Sequence, residues 1–253
     1  MLHNFSDDMF DIIILAGQSN AEGTGFGDTE NPYIPSDRVF YLNNDFTISV
    51  ATEAVSENDI QGNFALPFAR RYIDDGLLED GRKLLIVRAA VGGTGFSDKH
   101  WRLCDDHYLR MLDMVDTALK LNPNNRLTAL LWHQGETDAI NNVAYDVHYR
   151  NLTELVKSVR KTFSIPELPF VAGDFVLEWK QANIKSAAPI SDAVRAVCSD
   201  CGCAEFVATD GLISNRTELK RDPKGWFDNI HFSRKSLYIL GERYFECFLK
   251  LRK

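Results

Sequence analysis

The chain alternates between short, wholly apolar runs and longer amphipathic stretches. The first run, Ile12-Ile13-Ile14-Leu15, is too short for a helix, and its β-branching suits a central strand covered on both faces, as in a parallel sheet. Comparable runs recur at residues 38–42, 83–90, 126–132, 170–174 and 204–208. Helical spacing fills the intervals: Phe64, Phe68 and Tyr72 fall on one face of a helix ending near Ile73. Further helices are predicted over 108–121, stopped by Asn122-Pro123, over 144–162, from about Pro189, and over 233–250. Residues 21–35, rich in Gly, Thr, Asn and Pro, read as a loop. Strands that alternate with helices and end in small or polar residues predict an α/β protein, a doubly wound sheet of about five parallel strands. No repeat, low-complexity tract or linker breaks the pattern, so residues 1–253 read as one domain.

Composition narrows the classes of partner. The 253 residues, 45% of them hydrophobic, can bury a large core. Lys plus Arg number 28 against 36 Asp plus Glu, a net charge of −8, and the basic residues form no stripe, so neither nucleic acid nor an anionic membrane is an expected partner. The first eleven residues carry acids and lack a basic start and a long apolar run, which leads us to expect a cytoplasmic protein. Nothing in the composition bears on oligomeric state. Five cysteines do not suggest a disulfide framework, and Cys198, Cys201 and Cys203 lie where a helix should end and a strand begin. Three thiols are one ligand short of a structural zinc site, so we expect ordinary packed cysteines and no metal.

The chemistry is concentrated where the predicted strands end. The first run stops at Gly17 and passes at once to Gln18-Ser19-Asn20, which puts a serine at the carboxyl edge of the sheet, where open α/β folds place their ligands. Gly92-Gly93-Thr94-Gly95 follows a second strand, and a glycine pair there lets backbone approach a ligand closely. His133-Gln134-Gly135-Glu136-Thr137-Asp138 follows a third. Gly23-Thr24-Gly25-Phe26-Gly27 matches neither phosphate-binding glycine pattern. A serine hydroxyl is a weak nucleophile unless an imidazole takes its proton and a carboxylate orients that imidazole. Asp228 and His231, three apart in the turn before the last helix, are of the right types, and His133 is the rival base. Trp101, Trp179 and Trp226 follow strand ends, where an indole face can stack on a sugar, whereas Trp132 reads as core.

Taken together, Gly17-Gln18-Ser19-Asn20, Gly62-Asn63, Gly92-Gly93-Thr94, Trp132-His133-Gln134-Gly135-Glu136-Thr137-Asp138 and Asp228-x-x-His231 resemble the SGNH (GDSL-like) hydrolases. Within these they are most similar to the branch of sialate O-acetylesterases and family 6 carbohydrate esterases such as acetylxylan esterases. The resemblance implies a three-layer, flavodoxin-like α/β/α fold and removal of O-acetyl groups from a carbohydrate through an acyl-enzyme, without a cofactor. It implies Ser19 as nucleophile, His231 as general base and acid, Asp228 as orienting carboxylate, and an oxyanion hole from the Ser19 N–H, an N–H of Gly92 or Gly93, and the Gln134 amide. Gln18, Asn20 and Glu136 join the three tryptophans as candidate substrate contacts. A lipase or thioesterase of the same fold, and a non-catalytic sugar-binding descendant, are the alternatives.

Overall fold

The computed structural model describes residues 5–56, 59–218, 220–221 and 224–252. Its strands are β1 (Met9–Gly17), β2 (Val39–Leu42), β3 (Ile48–Val50), β4 (Ala54–Ser56), β5 (Asp59–Gln61), β6 (Arg82–Arg88), β7 (Arg126–His133), β8 (Phe170–Gly173) and β9 (Ala204–Val207). The helices are α1 (Ser19–Glu22), α2 (Ala65–Asp74), α3 (Asp106–Lys120), α4 (Glu136–Ile140), α5 (Tyr145–Thr162), α6 (Leu177–Ala182), α7 (Ile184–Asp200) and α8 (Arg234–Leu251).

One seven-stranded sheet in the order β3-β2-β6-β1-β7-β8-β9 forms the middle layer. Six of its strands are parallel, as the apolar runs predict. The seventh, β3, is an antiparallel edge strand beside β2, so the sheet is mixed rather than wholly parallel. Ile48-Ser49-Val50 escaped the pattern because an edge strand of three residues, mostly exposed, needs no apolar run. The same holds for the exposed β4–β5 pair. Helix α7 starts five residues before Pro189, which lies inside it rather than at its first turn.

Alternate residues of β1 feed opposite layers, as strand geometry requires. Ile13 and Leu15 pack with Phe64, Phe68, Leu240 and Phe245 of the α2 and α8 side. Ile12 and Ile14 pack with Met111, Met114, Leu155 and Val159 of the α3 and α5 side. Each such side chain, fully buried, contributes about 1.5–3 kcal/mol. Helices α2 and α8 cross without clearance: a Cβ at Gly241 would lie 2.2 Å from the Phe64 carbonyl oxygen. At the amino end of the sheet, buried Asp11 accepts from Arg82 Nε at 2.6 Å, Arg126 Nε at 2.7 Å and Tyr72 Oη at 2.7 Å. Burial pushes its carboxyl up, but these donors outweigh that and hold it below the usual range. The cluster locks β1, β6 and β7 together at one end. At the other, pairing of Gly17 with His133 and of Leu15 with Arg88 brings the carboxyl ends of those three strands level. Residues 18–22, 89–95 and 134–140 therefore leave the sheet side by side.

Candidate active site

Two strands meet so closely at Gly17 that no side chain fits. Its φ is +126°, and a Cβ would lie 2.1 Å from the His133 carbonyl oxygen. The next residue ties the turn to β7, with Gln18 N donating to His133 O at 2.9 Å. Ser19 follows, and its Oγ stands 2.8 Å from His231 Nε2. On the far side of the ring, His231 Nδ1 is 2.9 Å from Asp228 Oδ2. The other carboxylate oxygen accepts the backbone N–H of His231 at 3.1 Å, so the Asp-x-x-His turn closes on itself. Burial pushes the Asp228 carboxyl up, yet hydrogen bonds from His231 and Asn215 overcome it and hold it below the usual carboxylate range. An ionised Asp228 fixes the tautomer: Nδ1–H donates to it, which leaves the Nε2 lone pair for the Ser19 hydroxyl.

Two buried asparagines hold this row in place. Asn20 Nδ2 donates to Glu136 Oε1 at 2.8 Å and to Ile230 O at 3.1 Å, while its Oδ1 accepts from Phe232 N at 3.1 Å. It thus grips the residues on either side of His231. Asn215 donates to Asp228 Oδ2 at 2.9 Å and to Thr24 O at 2.8 Å, and its Oδ1 accepts from Phe26 N at 2.9 Å. The sequence reading missed Asn215. It sits in a short 3-10 turn, Asn215–Glu218, with no apolar periodicity or motif to single it out. Glu136, which supports Asn20, is fully enclosed, and burial pushes its carboxyl up.

The expected oxyanion donors divide. Gly92 lies against the serine: a Cβ there would be 3.5 Å from Ser19 Cβ. Its N–H donates to Glu22 Oε2 at 2.8 Å. Gly93, with φ of +72°, faces open space. Gln134 is fully buried, its Nε2 lying 3.1 Å from Asp138 Oδ2 and 3.4 Å from both Gln18 Oε1 and Thr94 O. Asp138 also accepts from Ser97 N at 2.8 Å, Phe96 N at 3.2 Å and His148 Nδ1 at 3.1 Å. Burial opposes its ionisation, but these donors keep its carboxyl low. The Gln134 amide thus belongs to a buried network that joins the loops after β6 and β7.

Several expected substrate contacts are corrected by burial. Trp101 is wholly enclosed, with Nε1 donating to Thr94 Oγ1 at 2.9 Å and its ring centroid 5.2 Å from that of Trp132. Trp179 packs edge-on to Phe175 at 5.4 Å. Gln18, Asn20 and Glu136 are likewise buried among internal partners, so these five leave little or no surface for a sugar. The loops after the strands fold down onto the sheet instead of standing open around the site. Trp226 does stay out. It is 72% exposed and lines a cleft of about 390 Å³ with Arg216, Phe227, Asp228, Asn229 and Ile230. Trp132 is core, as its strand position predicts.

The rival base, His133, is fully buried, and burial drives its imidazole down to about 4. Its Nδ1 lies 3.0 Å from Tyr244 Oη, which donates to Trp132 O at 2.7 Å, so the ring is neutral with its proton on Nδ1. It is His231, not His133, whose ring lies within hydrogen-bond distance of Ser19 Oγ. None of the five cysteines is in a disulfide. Cys198 is buried, which lifts its thiol to about 12, and among the described residues Cys198, Cys201 and Cys203 do not converge on a common point. No helix among the described residues is long and apolar enough to cross a membrane.

Comparison with known proteins identifies the family. A probable carbohydrate esterase of Arabidopsis thaliana is 25% identical over 248 residues, spanning 91% of this chain and 86% of the relative. The crystal structure of NanS superposes with a TM-score of 0.81 at 19% identity, covering 96% of this chain and 98% of that one. An Arabidopsis thaliana protein structure gives a TM-score of 0.70 at 21% identity over 95% and 98% of the two chains. These likenesses share the doubly wound fold expected of an SGNH hydrolase. The family model SASA, described as carbohydrate esterase, sialic acid-specific acetylesterase, matches residues 9–250, a span that takes in Ser19, Asp228 and His231. The chain therefore belongs to the SASA family of carbohydrate esterases and is a carboxylic ester hydrolase.

Proposed function

We propose that this protein removes O-acetyl groups from a carbohydrate through an acetyl-enzyme on Ser19, with His231 as general base and acid and Asp228 as the orienting carboxylate. The observation that carries this reading is the unbroken row from Ser19 Oγ to His231 Nε2 at 2.8 Å and from His231 Nδ1 to Asp228 Oδ2 at 2.9 Å, mounted at the carboxyl edge of the sheet. Ser19 Oγ attacks the acetyl carbonyl as its proton passes to Nε2. Asp228 stabilises the imidazolium so formed. Collapse of the tetrahedral adduct breaks the bond to the sugar oxygen, which takes the proton from Nε2. Water then attacks acetyl-Ser19, gives its proton to Nε2, and acetate leaves as the proton returns to Ser19.

The oxyanion requires preorganised donors. The Gly92 N–H is supported by its place beside Ser19, and it becomes available when substrate displaces the Glu22 carboxylate. Gln134 is the second candidate, now shared with Asp138, Gln18 and Thr94. Trp226, exposed next to Asp228, is the side chain best placed to stack on the sugar ring. The test is acetate release from O-acetylated sialic acid and acetylated xylo-oligosaccharides, set beside short- and long-chain nitrophenyl esters. We expect acetylated sugars to give the higher kcat/KM and Ser19→Ala to abolish turnover while remaining folded. Preference for long-chain esters, or activity of Ser19→Ala within a few fold of wild type, overturns the reading.

A further inference from the structure

We infer that His100, Asp106 and His107 form a binding site for a divalent transition-metal ion of the zinc class. His100 lies late in the segment between β6 and α3, and Asp106 and His107 open α3. One ligating atom from each of the three side chains falls within 4.8 Å of the others. The carboxylate is shared: Asp106 Oδ1 is 2.8 Å from His100 Nδ1, and Oδ2 is 3.5 Å from His107 Nδ1. The two imidazoles stack with centroids 4.4 Å apart and planes 13° from parallel.

These separations suit a single ion. Zinc sits about 2.0–2.2 Å from imidazole nitrogen and carboxylate oxygen, which leaves neighbouring ligand atoms about 3.0–3.5 Å apart in octahedral or tetrahedral arrangements. The 2.8 and 3.5 Å contacts, made to the two oxygens of one carboxylate, lie near that range, and with all three ligating atoms within 4.8 Å of one another, side-chain rotation can close them on one ion. Side-chain exposures of 33%, 62% and 12% for His100, Asp106 and His107 leave an open side for water or an exchangeable ligand. The local field is divided. The hydrogen bond that His100 donates to Asp106, with help from Asp98 and Asp105, holds the imidazole above its ordinary range. Burial and then Arg110 push His107 the other way. Two imidazoles and one carboxylate select zinc, nickel, cobalt or copper(II) over magnesium and calcium, which favour oxygen. A bound ion clamps the far end of the segment that begins with Gly92 onto the first turn of α3.

The experiment is calorimetric titration of untagged, chelator-treated protein with zinc chloride, with magnesium chloride as a parallel arm and Cys104→Ser as a control for the exposed thiol nearby. We expect one zinc per chain and a raised melting temperature. Binding should weaken by at least about tenfold in His100→Ala, Asp106→Asn and His107→Gln, with unchanged circular dichroism, and should persist in Cys104→Ser. Absence of stoichiometric zinc uptake by the wild type overturns the site. So does uptake that survives all three ligand substitutions or disappears in Cys104→Ser, and magnesium binding as tight as zinc overturns the ion class.

Discussion

Burial has made the histidine at the end of β7 chemically unlike a free imidazole, and mild acid should expose the difference. His133 is driven down to about 4 by its fully enclosed position, while in the unfolded chain it titrates near 6.5. The sign follows from proton counting: between those values the unfolded state binds a proton that the folded state does not, so stability falls as pH falls through the window. At pH 5 the unfolded imidazole is almost fully charged and the folded one neutral, which costs about 2 kcal/mol relative to pH 7. For a chain of this length that amounts to a decrease of about 4–8 °C in melting temperature from His133 alone. His133→Asn removes the titration yet keeps an N–H donor for Tyr244 Oη. Thermal denaturation of both proteins at pH 7 and pH 5 isolates the contribution as the difference between two differences. A drop in His133→Asn within about 1 °C of the wild-type drop refutes the assignment of His133 as a buried neutral ring.

Other substitutions address the chemistry. Asp228→Asn should retain the fold but lower kcat by about 10⁴, by analogy with the same change in a serine-protease triad; a loss below tenfold removes Asp228 as the orienting carboxylate. Gln134→Ala should lower kcat by about 10²–10³ with little change in KM if the amide reaches the oxyanion; a fall in melting temperature with KM and kcat equally disturbed assigns it to the Asp138 network instead. Asn20→Ala leaves the Phe232 N–H and Glu136 without their partner, at about 1–3 kcal/mol for each unsatisfied group, and should reduce both thermal stability and kcat. Glu22→Ala frees the Gly92 N–H and should raise kcat/KM by about threefold to tenfold; an unchanged or lower value shows that this N–H does not serve the oxyanion.

What could be read in advance was whatever leaves a local trace. The central strands are legible because burial on both faces demands uninterrupted apolar residues, and Ile12-Ile13-Ile14-Leu15 supplies them. Strand β3, paired on one side and largely exposed, obeys no such demand. The Asp228–His231 pair is local, and its three-residue spacing could be seen. Asn215 bridges Asp228 to Thr24 and Phe26, and Asn20 reaches Glu136 and Phe232, so their roles rest on contacts across as many as 212 positions that no local pattern encodes. Trp101 and Trp179 show the converse error. Their place after strand ends was correctly read, but whether such a loop stands open or folds down is decided by distant partners, here the network around Asp138 and the packing of Phe175.

Ser19 and His231, the proposed nucleophile and base, lie 212 residues apart, on either side of nearly the whole sheet. During synthesis Ser19 is therefore made long before the group proposed to activate it, and a fragment ending short of His231 carries the serine without that partner. Hydrolytic competence arrives only with docking of the last helix, whose Gly241 fits against the Phe64 carbonyl with no clearance. In a refolding experiment the return of turnover is thus a reporter of that final docking, separable from the earlier recovery of helical signal.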